Sequence, residues 1–564
     1  MQLNKDYRSV VAFLLFLLFT FSISAQTSKP NFNRVRTFDV QHYVLRVSFD
    51  RANKIVFGDT IIRLKPLGDN FKEIELDAAK MKFESVKLES ETKDLQYRLA
   101  GEKIYITLDK SYAPSDLISI RFKYSVRPNK GIYFVRADVE EGKIVRPAQI
   151  WTQGEAEEAH HWFPSYDFPD DKATSEQFIT VEKDETAIAN GEQLGITENA
   201  DGTKTFHYKM AVPHSTYLTS FVVGKYSKIS DSYKSIPLGF YLYPGKESFA
   251  QKSFGKTKEM MRVFEELTGI NFPYNKYDQT VVANFAFGGM ENITATTMAD
   301  KEIFTNPPEI VEDLVSHELA HSWFGNLVTC RNWAELWLNE GFATYMEAAY
   351  REKKYGRADY LRKIRENAQL FFVDETINRN RHGLYNLSAR PDDSIFDITT
   401  YQKGGAVIHT LRETVGTENF WKAVNLYLTR HKFQNVETSD LQKVMEEVSG
   451  KDLNWFFAQW VYGGGYPKLN ITQVYNAATR SLDLTVMQTQ DSDKITPEAF
   501  ILPLEIEITT ANGTKIEKLE IKKREEVFSL KVDGKPAKIV FDKEEKIPLK
   551  TVKVRSLEFF KDKN

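Results

Sequence analysis

The sequence predicts a multidomain α+β protein in which a β-rich first part, a helical middle and a small β-sandwich follow one another. Three observations carry this. From about Val35 to Tyr226 apolar and polar residues alternate, the pattern of half-buried strands. From about Ser230 to Tyr462 helical periods dominate. Gly463-Gly464-Gly465 then breaks the chain, and alternation returns beyond it.

Each part has its own grammar. Lys5 and Arg8 precede the apolar run Val10 to Phe19, and Ser24-Ala25 offers a small-residue cleavage site. That is the pattern of a secretory signal peptide over residues 1–25, with a mature chain beginning near Gln26. The run is shorter than the ~20 residues needed to span a bilayer. An exported protein, periplasmic or secreted, with no stable membrane insertion after cleavage is therefore expected. The N-terminal β domain is placed at 26–228. Tyr43, Leu45, Val47 and Phe49 share one strand face there, and Ile61 to Leu64, Phe206 to Met210 and Tyr217 to Val223 read as further strands. The middle domain, 229–462, carries helical patterns such as Lys256 to Leu267 and Ala406 to Val415. In the last domain, 463–564, Leu504, Ile506 and Ile508 lead to the hairpin signal Asn512-Gly513. Val527 to Val532 and Ile539 to Phe541 complete a small sandwich.

Composition sets the outer bounds. The 564 residues leave room for three or four domains, and 42% hydrophobic with 27% charged residues is ordinary for a globular chain. Aromatics at 13% favour large cores and aromatic-lined clefts. A net charge of −3 gives no reason to expect nucleic acid or an anionic surface as partner. Cys330 is the single cysteine, so no internal disulfide can form and burial as a small hydrophobe is its expected role. The sequence carries no signal for an oligomeric state.

Chemistry concentrates at His317-Glu318-Leu319-Ala320-His321, with eighteen residues intervening before Glu340. A helix puts residues i and i+4 on one face, so His317 and His321 can bind one metal ion. Glu318, about 100° further round, points beside them toward a bound water. Glu340 supplies a third ligand and leaves one position open, the arrangement of a catalytic Zn2+ site with one ion per chain. The helices that this requires are legible. Asn306 reads as an N-cap before Pro307-Pro308-Glu309, with Val311, Leu314, Val315 and Leu319 at helical spacing and Gly325 as a stop. A second helix is predicted from about Ala334 to Gly356, where Gly341 beside Glu340 permits close helix approach. Asn339, Thr344 and Glu335 are the nearby candidates to hold the histidines' other ring nitrogens. His160-His161 is read as a cleft or domain-interface pair.

Four segments now stand together: Thr152-Gln153-Gly154-Glu155, Gly288-Gly289-Met290-Glu291-Asn292, the H-E-x-x-H motif with Leu338-Asn339-Glu340-Gly341-Phe342-Ala343-Thr344, and Tyr401-Gln402-Lys403-Gly404. In order and spacing they resemble the M1 family of gluzincin aminopeptidases over nearly the whole mature chain. The resemblance implies an N-terminal saddle-shaped β domain, a thermolysin-like, mostly helical catalytic domain and a C-terminal β-sandwich. Many members add a helical C-terminal domain, and none is expected here. It also implies roles. Glu318 is the general base, Tyr401 the oxyanion donor, and Glu155 and Glu291 the anchors for a free α-ammonium. Gly288 and Gly289 let backbone run beside the substrate, while Gln153 and Met290 wall the first side-chain pocket. Peptides with a free N-terminus are the implied partners.

Other readings fit part of the pattern. Epoxide hydrolases of the leukotriene-hydrolase type share fold and zinc motif, but they carry glutamine where this chain has Glu155. For an endopeptidase, Glu155 and Glu291 would block a chain continuing past the site. A non-catalytic peptide-binding protein on a peptidase fold would have lost a ligand, the base or the tyrosine; none is lost.

Overall fold

The computed structural model describes residues 34–378 and 381–556. The signal-peptide expectation lies outside the described residues. The N-terminal part is built on a seven-stranded sheet. In spatial order its strands are Glu192–Glu198, Lys204–His214, Ala173–Val181, Phe38–Asp50, Ile55–Pro66, Ile118–Val126 and Lys82–Leu88. Only the contact of Phe38–Asp50 with Ala173–Val181 is parallel. The strand Ala173–Val181 alternates buried and half-buried at every position, as a sheet with one covered face demands. Tyr43, Leu45 and Val47 enter the core from their strand, and a bulge between Val40 and His42 resets the register before them.

Two smaller sheets cover this one. One joins Thr186–Ala189, Phe221–Gly224, Gln149–Thr152 and Ile132–Val135; the other joins Phe71–Asp77, Lys103–Tyr112 and Gln96–Ala100. Tyr217 and Leu218, read above as strand, form a tight 3-10 turn instead, and the strand starts at Phe221.

The middle part is less purely helical than its sequence suggests. It opens with a five-stranded sheet, ordered Ser227–Tyr233, Ile236–Leu242, Tyr277–Val282, Ala295–Ala299 and Gly289–Met290. The inner pairings are parallel, and Tyr277–Val282 and Ala295–Ala299 are buried at every residue. Strands covered on both faces lose alternation, which is why periodicity did not reveal them. The two-residue edge strand Gly289–Met290 lies beside the helices that follow. Among these are Pro308–Ala320, Trp337–Tyr355, Arg357–Ile377 and Gly404–Val415.

Beyond the glycines, a four-stranded and a three-stranded sheet face each other as a sandwich. Leu482, Leu484 and Val486 from one sheet and Leu504, Ile506 and Ile508 from the other fill its core. The hairpin at Asn512-Gly513 joins Leu502–Thr510 to Gly513–Ile521 with Thr510 opposite Gly513. No helix among the described residues is long and apolar enough to cross a membrane.

Candidate active site

The helix carrying His317 runs Pro308–Ala320. Pro308 suits its first position, where a fixed φ helps and an N–H is not needed. The N-cap is Pro307, one residue later than expected; Asn306 instead ends the short helix Asp300–Thr305. The helix also stops before Gly325. His321 is its C-cap, and Ser322 and Trp323 close tight turns onto Leu319 and Ala320.

The facing helix runs Trp337–Tyr355 after a 3-10 turn at Trp333–Glu335, whose Ala334 N–H is capped by the Asn332 side chain. Glu340 therefore sits in a first turn, where the helix dipole favours a carboxylate. Gly341 does permit a close approach, but to a different helix. A Cβ there would lie 3.1 Å from Gly404 Cα, at the start of the helix behind Tyr401.

These elements bring three donors to one point. His317 Nε2 lies 3.2 Å and His321 Nε2 3.4 Å from Glu340 Oε2, and all three residues are buried. The outer ring nitrogens are tied off. His317 Nδ1–H donates to Glu347 Oε1 at 2.9 Å, and His321 Nδ1–H donates to the Phe324 carbonyl at 2.9 Å. Both Nε2 lone pairs are thereby turned inward. Asn339, Thr344 and Glu335 do none of this. Asn339 accepts the Cys330 N–H and donates to Tyr217, Glu335 accepts from Thr438, and the Thr344 hydroxyl faces the cavity without a partner. Glu347 was missed, although it follows Glu340 by two helical turns on the same face. Cys330 is fully buried and unpaired.

The buried charges act on one another. Burial works against ionised Glu340, yet His321 and His317 hold it down at about 2. Burial pulls the His317 imidazole down, but its bonds to Glu340 and Glu347 outweigh this and push it up to about 9. Burial pushes the Glu318 carboxyl up to about 8, and His317 and His321 pull it back only in part. A divalent ion would hold Glu340 ionised still more firmly and pull the Glu318 carboxyl back down.

Around this centre lies a cavity of about 470 Å³. Tyr401 borders it from a π-helical turn, Thr399–Lys403, its ring parallel to His317 with centroids 5.8 Å apart. That turn is pinned by Asp397, which accepts the Thr400 N–H at 2.8 Å and a His382 Nε2–H at 2.6 Å. Burial, then the carboxylates of Glu340, Glu155, Glu291 and Glu318, raise the Tyr401 hydroxyl well above its ordinary range, so it stays a donor.

Glu155 and Glu291 reach the cavity from different parts of the chain. Glu155 follows the strand Gln149–Thr152 of the N-terminal part; Glu291 follows the edge strand Gly289–Met290. Each keeps one buried carboxylate oxygen with no protein partner, and oxygens of Glu155, Glu291 and Glu340 lie within 4.8 Å of one another. Burial first, and for Glu155 then Glu291, raises both carboxyls. Gln153 Nε2–H meets Met290 Sδ at 3.2 Å, so these two form one wall. Gly288 and Gly289 border the cavity, and a Cβ on Gly289 would collide with the Glu318 carboxylate. Phe287, Phe396, Ile398, Asp374 and Asp397 also line it and were not named from sequence. His160 and His161 are absent from it. Of the two readings given above, cleft or domain interface, the cavity lining excludes the first; His160 faces Glu102 and Asp167 within the N-terminal part.

Fold and donor set together define a protein whose buried His2Glu group, able to hold a metal ion, borders a cavity lined by both a β-rich part and a helical one. The chain belongs to peptidase family M1: the model of the family's peptidase domain matches residues 252–460, and that of its N-terminal domain matches 39–218. An Ig-like domain of unknown function matches 465–549. Similar proteins include "Aminopeptidase 2" of Candida albicans, 28% identical over 79% of this chain and 48% of its own length. "Glutamyl aminopeptidase" of Homo sapiens is 32% identical over 67% of this chain and 42% of its own. "Aminopeptidase N" of Streptomyces lividans is 32% identical over 56% and 38%. The chain spans about half the length of the curated relatives it matches.

Proposed function

We propose that this protein is a zinc-dependent aminopeptidase that releases the N-terminal residue of peptides. The observation that carries the proposal is the pair Glu155 and Glu291, two buried carboxylates with unpartnered oxygens beside a His2Glu donor set. Buried carboxylate oxygens call for a charged donor, and a free α-ammonium supplies up to three N–H groups. A peptide chain continuing through the site would bring one amide N–H instead and leave both acids uncompensated.

The donor set fits zinc. Ligand atoms about 2.0–2.1 Å from one ion at tetrahedral angles stand roughly 3.3 Å apart, and the two nitrogen-to-carboxylate distances here are 3.2 and 3.4 Å. Zinc held by His317, His321 and Glu340 supplies Lewis acidity and draws the pKa of water toward ~7.

The chain's own residues do the rest. Glu155 and Glu291 hold the ammonium, which fixes the first peptide bond over the centre. Glu318 takes a proton from the attacking water and returns it to the leaving nitrogen. Tyr401 donates its O–H to the carbonyl oxygen as negative charge develops there. Gln153 and Met290 border the first side chain, and Gly288 and Gly289 leave room for the substrate backbone. In the same reading residues 1–25 are an export signal and the enzyme works in the periplasm or outside the cell.

The test compares one short peptide with its N-terminus free or acetylated. Stepwise release from the free form alone is the expected result. Equal cleavage of both would remove the anchoring role of Glu155 and Glu291.

A further inference from the structure

We propose that Glu102, His160 and His161 form a second metal site, separate from the catalytic centre, which takes a divalent transition metal of the zinc class. One donor atom from each of the three lies within 4.8 Å of the others. His160 is oriented as a ligand would be: its Nδ1–H donates to Asp167 Oδ2 at 2.7 Å, and Asp167 also accepts the His160 backbone N–H at 3.0 Å. This leaves Nε2 facing Glu102 Oε2 at 3.7 Å, too far for a hydrogen bond and suited to a shared ion.

His161 provides the independent observation. It is only 6% exposed, and its ring stacks on that of His160 with centroids 4.4 Å apart, so both imidazoles lie at one place. Lys130, the cation that acts on His161, is engaged by Glu158 at 3.2 Å. At His160 a metal takes the place of the Nε2 proton.

Glu102 lies in the turn between two strands, its side chain 56% exposed, so it can swing onto an ion and leave the remaining positions to water. That composition suits zinc, nickel or copper and argues against calcium or magnesium, which prefer all-oxygen shells. The backbone already draws these segments together. Ala78 N–H donates to Glu102 O at 2.7 Å and Ala79 N–H to His160 O at 3.0 Å. A metal here staples that turn to the segment that follows Glu155.

The test is metal stoichiometry on the purified full chain, equilibrated in zinc buffers and read by elemental analysis. Wild type should bind one equivalent more than Glu102→Gln and than His161→Gln, with kcat unchanged in both variants. Glu102 is exposed, so E102Q reports even if H161Q folds poorly. Equal zinc content in wild type and E102Q would overturn the proposal. So would a missing equivalent accompanied by lost kcat, because the vacated site would then be the catalytic one.

Discussion

Replacing Glu347 by glutamine tests whether the centre is oriented from outside its ligands. Glu347 Oε1 accepts the His317 Nδ1–H at 2.9 Å, while Oε2 pairs with Lys363 at 2.6 Å. Lys363 also reaches Asp313 at 2.9 Å, so it keeps a partner in the variant. Glutamine preserves the shape and can still accept, but the bond changes from charge-assisted to neutral. Such bonds contribute about 1.5–3 and about 0.5–1.5 kcal/mol respectively, so the loss is about 1–1.5 kcal/mol. At 1.4 kcal/mol per decade this is roughly a tenfold weakening of zinc binding. Glu347→Ala removes the acceptor altogether and should approach the hundredfold end of such effects. Chelator competition at fixed pH measures the affinity, and kcat at saturating zinc separates binding from chemistry. The expected pattern is weaker zinc with near-normal kcat once the site is full. Unchanged affinity in a folded Glu347→Gln protein would refute the reasoning and leave the helix alone to orient His317.

Three further predictions follow from the same geometry. Glu318→Gln should retain zinc and lose about 10²–10⁴ in kcat, the usual span for a proton-transferring group; full activity with zinc present would exclude Glu318 as base. Tyr401→Phe should lower kcat by about 10²–10³ and leave KM nearly unchanged, because the hydroxyl acts where charge develops; a change in KM alone would make Tyr401 a binding residue. The third concerns acid stability. Burial holds the His409 imidazole at about 4, against 6.5 when unfolded, and it stays neutral between the Tyr360 hydroxyl and the Glu545 carbonyl. Between those values the unfolded chain binds the extra proton, so wild type loses stability as pH falls from about 6.5 to 4, by up to roughly 3 kcal/mol. His409→Gln should show a flatter Tm-against-pH curve over that window, and parallel curves would rule the linkage out.

The sequence was most informative where one helix carries the chemistry. His317, Glu318 and His321 announce themselves through helical spacing, and Glu340 through its place in a second amphipathic segment. Glu347 was equally accessible, since seven residues past Glu340 is the same helix face. The five-stranded sheet was not, because strands buried on both faces show no period two. Nor can spacing bring Gln153 to Met290, or Phe287 to Phe396, whose rings lie 5.4 Å apart; those contacts exist only once distant segments have docked. The boundaries of the motif helix shifted for a local reason, the paired prolines. Only the second can take the first helical position when the first adopts the extended conformation of a cap.

The two acids of the proposed ammonium clamp arrive by different routes. Glu155 belongs to the β-rich part made first, and Glu291 to the part made afterwards. The seam between them is drawn tight by Trp333 on Glu157, Lys172 on the Asn326 carbonyl and Asn190 on the Ile293 carbonyl. Until that seam closes there is no acidic pair, even if the histidines have already found their metal. In the proposed reading, selectivity for chain ends is therefore younger than hydrolytic competence in the life of each molecule.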